Sequence, residues 1–186
     1  LIQKIKKQYT ACTVFLLPFS VPCYNTDKGG RKMQRYHKLR SMVLPQLCAV
    51  RLEALREEAL THTMSVVDAA VLLACRRKED QELCASAALL HDLSIYVYNS
   101  AHRTHAAKSA EIAVNYLQQA GFVPKEIEQI KTAIARHSDK AHYHDPFCEI
   151  LKDADILARF LQDQVVPRED VRRIRLAAVM KQLNSM

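Results

Sequence analysis

The chain has 186 residues, 49% of them hydrophobic, with 3 Gly, 6 Pro and no Trp; the length suits one well-cored domain, and long Ala/Leu/Ile stretches with few turn residues favour an all-α protein over a sandwich or barrel. The formal net charge is +7, but residues 1–40 hold 9 of the 27 Lys and Arg against 1 of the 20 Asp and Glu. The remaining 18 basic and 19 acidic groups nearly cancel, which argues against a nucleic-acid face on the folded domain.

Lys4, Lys6 and Lys7 precede an apolar stretch over 11–24 that contains Pro18 and Pro22. At about 14 residues it falls short of the roughly 20 that span a bilayer, and no clear small-residue cleavage site follows it. A turn-forming run over 25–30, Asn-Thr-Asp-Lys-Gly-Gly, comes next. Residues 1–40 are read as a basic arm that need be neither ordered nor native to the domain, and 41–186 as the helical domain.

From Leu44 onward the pattern is helical. A first helix is expected over 45–59, with Pro45 in its first turn. Thr61 can cap a second that runs to about Arg76, and Asp80 a third over 81–90. That third segment is apolar almost all round, the mark of a central, buried helix. Thr104 opens a fourth, which stops at Gly121. Pro124 opens a fifth that ends near His137. A polar loop over 138–145 leads to a sixth helix over 147–162, and Pro167 begins a last one bearing Arg172, Arg173, Arg175 and Lys181. The whole reads as a compact bundle of about six to seven helices. Six cysteines without a C-x-x-C pair, several inside apolar runs, fit a reduced, cytoplasmic protein.

The histidines depart from a plain bundle. His62 shares a helical row with Val66, Ala69 and Leu73; His137 closes the row Ile127, Ile130, Ile134; His105 heads the row Ser109, Ile112, Tyr116. The pair His91-Asp92 ends the most apolar helix of the chain. A buried, unpaired carboxylate there would be costly, so Asp92 needs a partner, and a metal ion supplies one. A single His on an apolar face is more often a hydrogen-bonded core residue than a ligand. The joint occurrence of several on separate helices carries the argument.

The order His62, then His91-Asp92 in the context Ala87-Ala88-Leu89-Leu90-His91-Asp92, then Asp155 in Lys152-Asp153-Ala154-Asp155-Ile156-Leu157, resembles the H…HD…D signature of the HD-domain superfamily of metal-dependent phosphohydrolases. The resemblance covers roughly residues 45–165. On the sixth helix Asp153 and Asp155 lie about equally far to either side of the apolar stripe, at roughly 100° per residue, so periodicity does not separate them. The family pattern puts the ligand after Ala154, hence at Asp155.

The resemblance implies that His62, His91, Asp92 and Asp155 ligate a divalent transition metal (Mn, Fe, Co, Ni or Zn). Asp92 is the catalytic candidate, bridging two ions or orienting the attacking hydroxide. His105 and His137 match positions that hold a second ion in some members and substrate phosphate in others, so one or two ions are implied. Arg103, Lys108, Arg136 and Lys140 flank those histidines and are candidates to neutralise substrate phosphate, although each reads equally well as a solvated charge. The implied reaction is hydrolysis of a phosphate ester or anhydride, on a nucleotide or small phosphorylated metabolite. The alternative is a non-catalytic metal- and nucleotide-binding module. No membrane span is expected, and self-association into a homo-oligomer is left open.

Overall fold

The computed structural model describes residues 33–185. The apolar stretch over 11–24, Cys12, Cys23 and most of the basic arm lie outside the described residues. Among those described there are eight helices and no strand: α1 (Gln34–Cys48), α2 (Glu53–Arg77), α3 (Gln81–Leu90), α4 (Leu93–Tyr98), α5 (His105–Ala120), α6 (Pro124–Arg136), α7 (Pro146–Asp163) and α8 (Asp170–Asn184). The all-α expectation holds.

α3 is the centre. Eight of its ten residues, Leu83 to Leu90, are buried, and α1, α2, α6 and α7 all pack against it. Asp80 caps it as expected, its Oδ1 accepting the Leu83 N–H at 2.9 Å, a contact worth about 1 kcal/mol. Gly121 ends α5 at φ 96°, a left-handed conformation that glycine adopts without strain. α7 starts on Pro146, with Asp145 Oδ1 accepting the Cys148 N–H at 3.1 Å.

Three expectations need correction. Residues 34–40, read with the basic arm, belong to α1, whose row Tyr36, Leu39, Val43 and Leu47 is buried in the core. Pro45 therefore sits in the last turn of α1 instead of opening a helix at 45. Thr61 caps nothing: its hydroxyl donates back to the Glu57 carbonyl at 2.7 Å, inside one continuous 25-residue helix. A short helix, α4, also follows Asp92 directly.

By length and composition α2 is apolar enough to cross a bilayer, but half of that stretch is buried in the bundle. It packs against α3 and α7, and that burial accounts for its composition. This packing brings His62 on α2, the end of α3 and Asp155 on α7 to one place.

Candidate metal centre

The end of α3 sets the geometry. His91 is the last cap of that helix, 1% exposed, and its Nδ1–H donates to the Ala88 carbonyl at 2.7 Å. Because a carbonyl only accepts, the proton sits on Nδ1 and the Nε2 lone pair is turned inward. His137, at the end of α6, repeats the device with the Ile134 carbonyl at 2.7 Å, and His105 repeats it with the carbonyl of His102. Three helix ends thus aim three imidazole Nε2 atoms at one carboxylate.

That carboxylate is Asp92, and its two oxygens face different groups. Oδ2 lies 3.3 Å from His91 Nε2 and 3.8 Å from His62 Nε2. Oδ1 lies 3.2 Å from His105 Nε2 and 3.3 Å from His137 Nε2. Asp155 joins the first group, its Oδ1 3.4 Å from His62 Nε2. Two sets, His62/His91/Asp92 and Asp92/His105/His137, each offer ligand atoms within 4.8 Å of one another. The structure therefore gathers all six sequence candidates, His62, His91, Asp92, Asp155, His105 and His137.

Whether a cation fits follows from the hydrogen bonds. His62 Nδ1 and Nε2, His91 Nε2 and Asp92 Oδ1 are buried and have no hydrogen-bond partner. His105 Nε2 and His137 Nε2 stand 3.0 Å apart; with both Nδ1 protons given to carbonyls, the neutral rings turn two lone pairs toward each other. Buried acceptors at such separations repel unless a positive charge sits among them. Nitrogen and oxygen ligands around a transition metal, at roughly 2.1 Å from the ion, lie about 3 Å from one another. The donor set fits a divalent ion.

Both carboxylates are held in the ionised form that a metal ligand requires. Burial opposes ionisation of Asp92, yet His91 and His137 hold its carboxyl well below the usual carboxylate range. Burial likewise opposes ionisation of Asp155, and Lys140 and His62 overcome it to the same effect. His91 is pulled down by burial but raised overall by Asp92, whereas burial keeps His137 below its ordinary value.

Asp153 points elsewhere. Its oxygens take Arg77 Nη2 at 2.7 Å and Arg175 Nη1 at 3.0 Å, so contacts separate the two carboxylates where periodicity does not. Of the four candidate cations, Arg103, Lys108 and Arg136 are exposed. Lys140 is buried, and its ammonium is given to Asp155 Oδ2 at 2.7 Å and the Lys152 carbonyl at 3.1 Å. His144, in a polar loop by sequence, is half-buried and accepts from Lys152 Nζ through Nδ1 at 2.6 Å; His142 is exposed beside Asp139.

Sequence reasoning missed three contributors. Ser138 Oγ lies 3.2 Å from His105 Nε2 and 3.5 Å from His137 Nε2; its place directly after His137 was the available signal. Ser94 Oγ donates to the His105 carbonyl at 3.0 Å and accepts from Ser109 Oγ at 3.0 Å, tying α4 to the start of α5.

A family model of the HD domain matches residues 59–159. The fold is similar to the crystal structure of a predicted HD superfamily hydrolase from an uncultured Thermotogales bacterium. That match has 22% identity and a TM-score of 0.53, over 78% of this chain and 89% of that one. At that identity the likeness is one of fold. Comparison with curated proteins gives no match.

Proposed function

The chain belongs to the HD-domain family, and from that premise we propose that it is a metal-dependent phosphohydrolase acting on a nucleotide or small phosphorylated metabolite. The observation that carries the reading is the Asp92 carboxylate, each oxygen of which faces its own set of inward-turned imidazole nitrogens. His62, His91, Asp92 and Asp155 would hold one divalent ion, and Asp92, His105 and His137 a second.

A bound divalent ion supplies positive charge that acidifies water and polarises a phosphoryl oxygen. The protein's own part is positioning and charge, which suits phosphoryl transfer because little covalent work is required of side chains. Asp92 fixes the spacing between the two subsites. The carbonyls of Ala88, Ile134 and His102 fix the tautomers of His91, His137 and His105. Ser138, beside both outer histidines, can donate a hydrogen bond to a substrate oxygen or water there. Arg103, Lys108 and Arg136 are exposed cations on the segments that carry His105 and His137, and they support recognition of an anionic substrate. The buried thiols Cys84 and Cys148 support a reducing, cytoplasmic setting.

The test is elemental analysis of the purified protein, then a screen of phosphomonoesters and nucleotides against Mn, Fe, Co, Ni and Zn. Metal-dependent release of phosphate is the expected result. Tight nucleotide binding with no product in any ion would make the chain a binding module instead.

A further inference from the structure

The face of Asp155 turned away from His62 carries a buried cation. Lys140 Nζ lies 2.7 Å from Asp155 Oδ2, with the lysine side chain 5% exposed. The residue is fixed from behind as well. Arg175 Nε, from α8, donates to the Lys140 carbonyl at 2.7 Å, and the same guanidinium pairs with Glu149 Oε2 at 2.6 Å and Asp153 Oδ1 at 3.0 Å. α8 lies beyond the residues that match the family model, so this clamp comes from outside the part of the chain that the family describes.

The two oxygens of Asp155 are divided between two duties. Oδ2 belongs to the ammonium, while Oδ1 faces His62 Nε2 at 3.4 Å. We propose that Lys140 is a resident counter-ion of the metal centre: it neutralises Asp155 when no divalent ion is held, leaves that carboxylate one oxygen to offer, and moderates affinity for the ion. The proposal rests on the reading of Asp155 as a ligand.

Two effects of removing the ammonium compete. Losing the hydrogen bond frees one carboxylate rotation, a small entropic loss for metal binding. Losing the charge removes repulsion between a unit cation and a divalent ion that share a carboxylate in a poorly solvated site, and this is the larger effect. Metal affinity therefore rises in K140M. The metal-free fold weakens, because Asp155 is left buried with its strongest partner gone.

The experiment uses the full chain as wild type, K140M, D155N and K140M/D155N. Thermal unfolding is followed after chelation and again in saturating Mn2+, and Mn2+ binding is titrated calorimetrically. Without metal, each single variant melts below wild type, and the double variant melts higher than additive losses require. K140M shows a larger Mn2+-induced rise in Tm than wild type, with binding tightened about tenfold. If K140M is unfolded without metal, refolding on Mn2+ addition supports the proposal and failure to refold overturns it. Additive losses in the four metal-free proteins, or a K140M affinity equal to or weaker than wild type while D155N loses binding, overturn the counter-ion alone. Wild-type Mn2+ affinity in D155N overturns the ligand role of Asp155, and the proposal with it.

Discussion

On one side of α7, Asp153 and Glu149 meet Arg77, Arg175 and Lys152 in a buried network where each carboxylate oxygen faces a cation or an N–H group. On the other, Asp155 and Asp92 meet four histidines, three of which give their Nδ1 proton to a carbonyl and turn Nε2 inward. Both clusters are buried and charged, and α7 contributes a carboxylate to each. In the first every carboxylate oxygen has a protein cation beside it, Glu149 Oε2 through the ion pair with Arg175 alone, and the network docks α8 and the 138–145 loop. The second offers clustered nitrogen and oxygen atoms that could hold an added cation. Clustered imidazole acceptors with no protein cation beside them, more than burial or charge density, distinguish a candidate ion site from a structural network.

Substitutions on the two sides should therefore fail in different ways. The largest effect is expected from Asp92→Ala, which removes the group common to both subsites. Turnover should fall by more than the roughly 100-fold that outer partners of a metal cost, and bound metal should drop while circular dichroism stays helical. Normal metal content in that variant would erase the distinction between the two clusters. Asp153→Ala should do the reverse. It takes the carboxylate from Arg77 and one of two from Arg175, which keeps Glu149, and should cost about 1–3 kcal/mol in denaturant unfolding, with metal stoichiometry unchanged.

Smaller effects sharpen the contrast inside the histidine cluster. His105→Ala and His137→Ala should each remove one ion of two and leave the His62/His91 subsite loaded, as read by elemental analysis. Unchanged stoichiometry with slower turnover would assign both to substrate phosphate.

On the ion-paired side acid acts through Glu149. Burial works against the Glu149 carboxylate, but Lys152, the His144 N–H and Arg175 hold it below its ordinary value. Its contribution to stability is thus fully present above the unfolded-state pKa of about 4.3 and is lost as pH falls through the lower folded value. Glu149→Gln should flatten that acid limb of a Tm-versus-pH curve; an unaltered limb would remove Glu149 from the account. Thr61→Ala should be nearly silent, within about 0.5 kcal/mol, because the hydroxyl only bonds back to Glu57 in mid-helix.

Much of this is legible in the sequence alone. The apolar run over 83–90 followed by His91-Asp92 marks a buried helix that ends on chemistry, and the side-chain cap at Asp80 and the glycine stop at Gly121 lie where local rules put them. Other features depend on tertiary context. Thr61 has the composition of a cap, and only the continuation of α2 from Glu53 turns its hydroxyl to a different use. The row Tyr36, Leu39, Val43, Leu47 begins inside a basic segment, so charge masked its helical period. Asp153 and Asp155 differ by what α2, α8 and the 138–145 loop bring to each, and no spacing along α7 contains that information. Lys140 is a polar loop residue in sequence, and its burial against Asp155, with α8 bonded to its carbonyl, is a tertiary feature.

The most direct measurement is anomalous X-ray scattering from crystals of the protein grown with Mn2+. The account predicts a peak coordinated by His62, His91, Asp92 and Asp155, and a second, where occupied, against the other Asp92 oxygen, His105 and His137. Crystals that bind Mn2+ elsewhere, or not at all, with the six side chains in place, would contradict it.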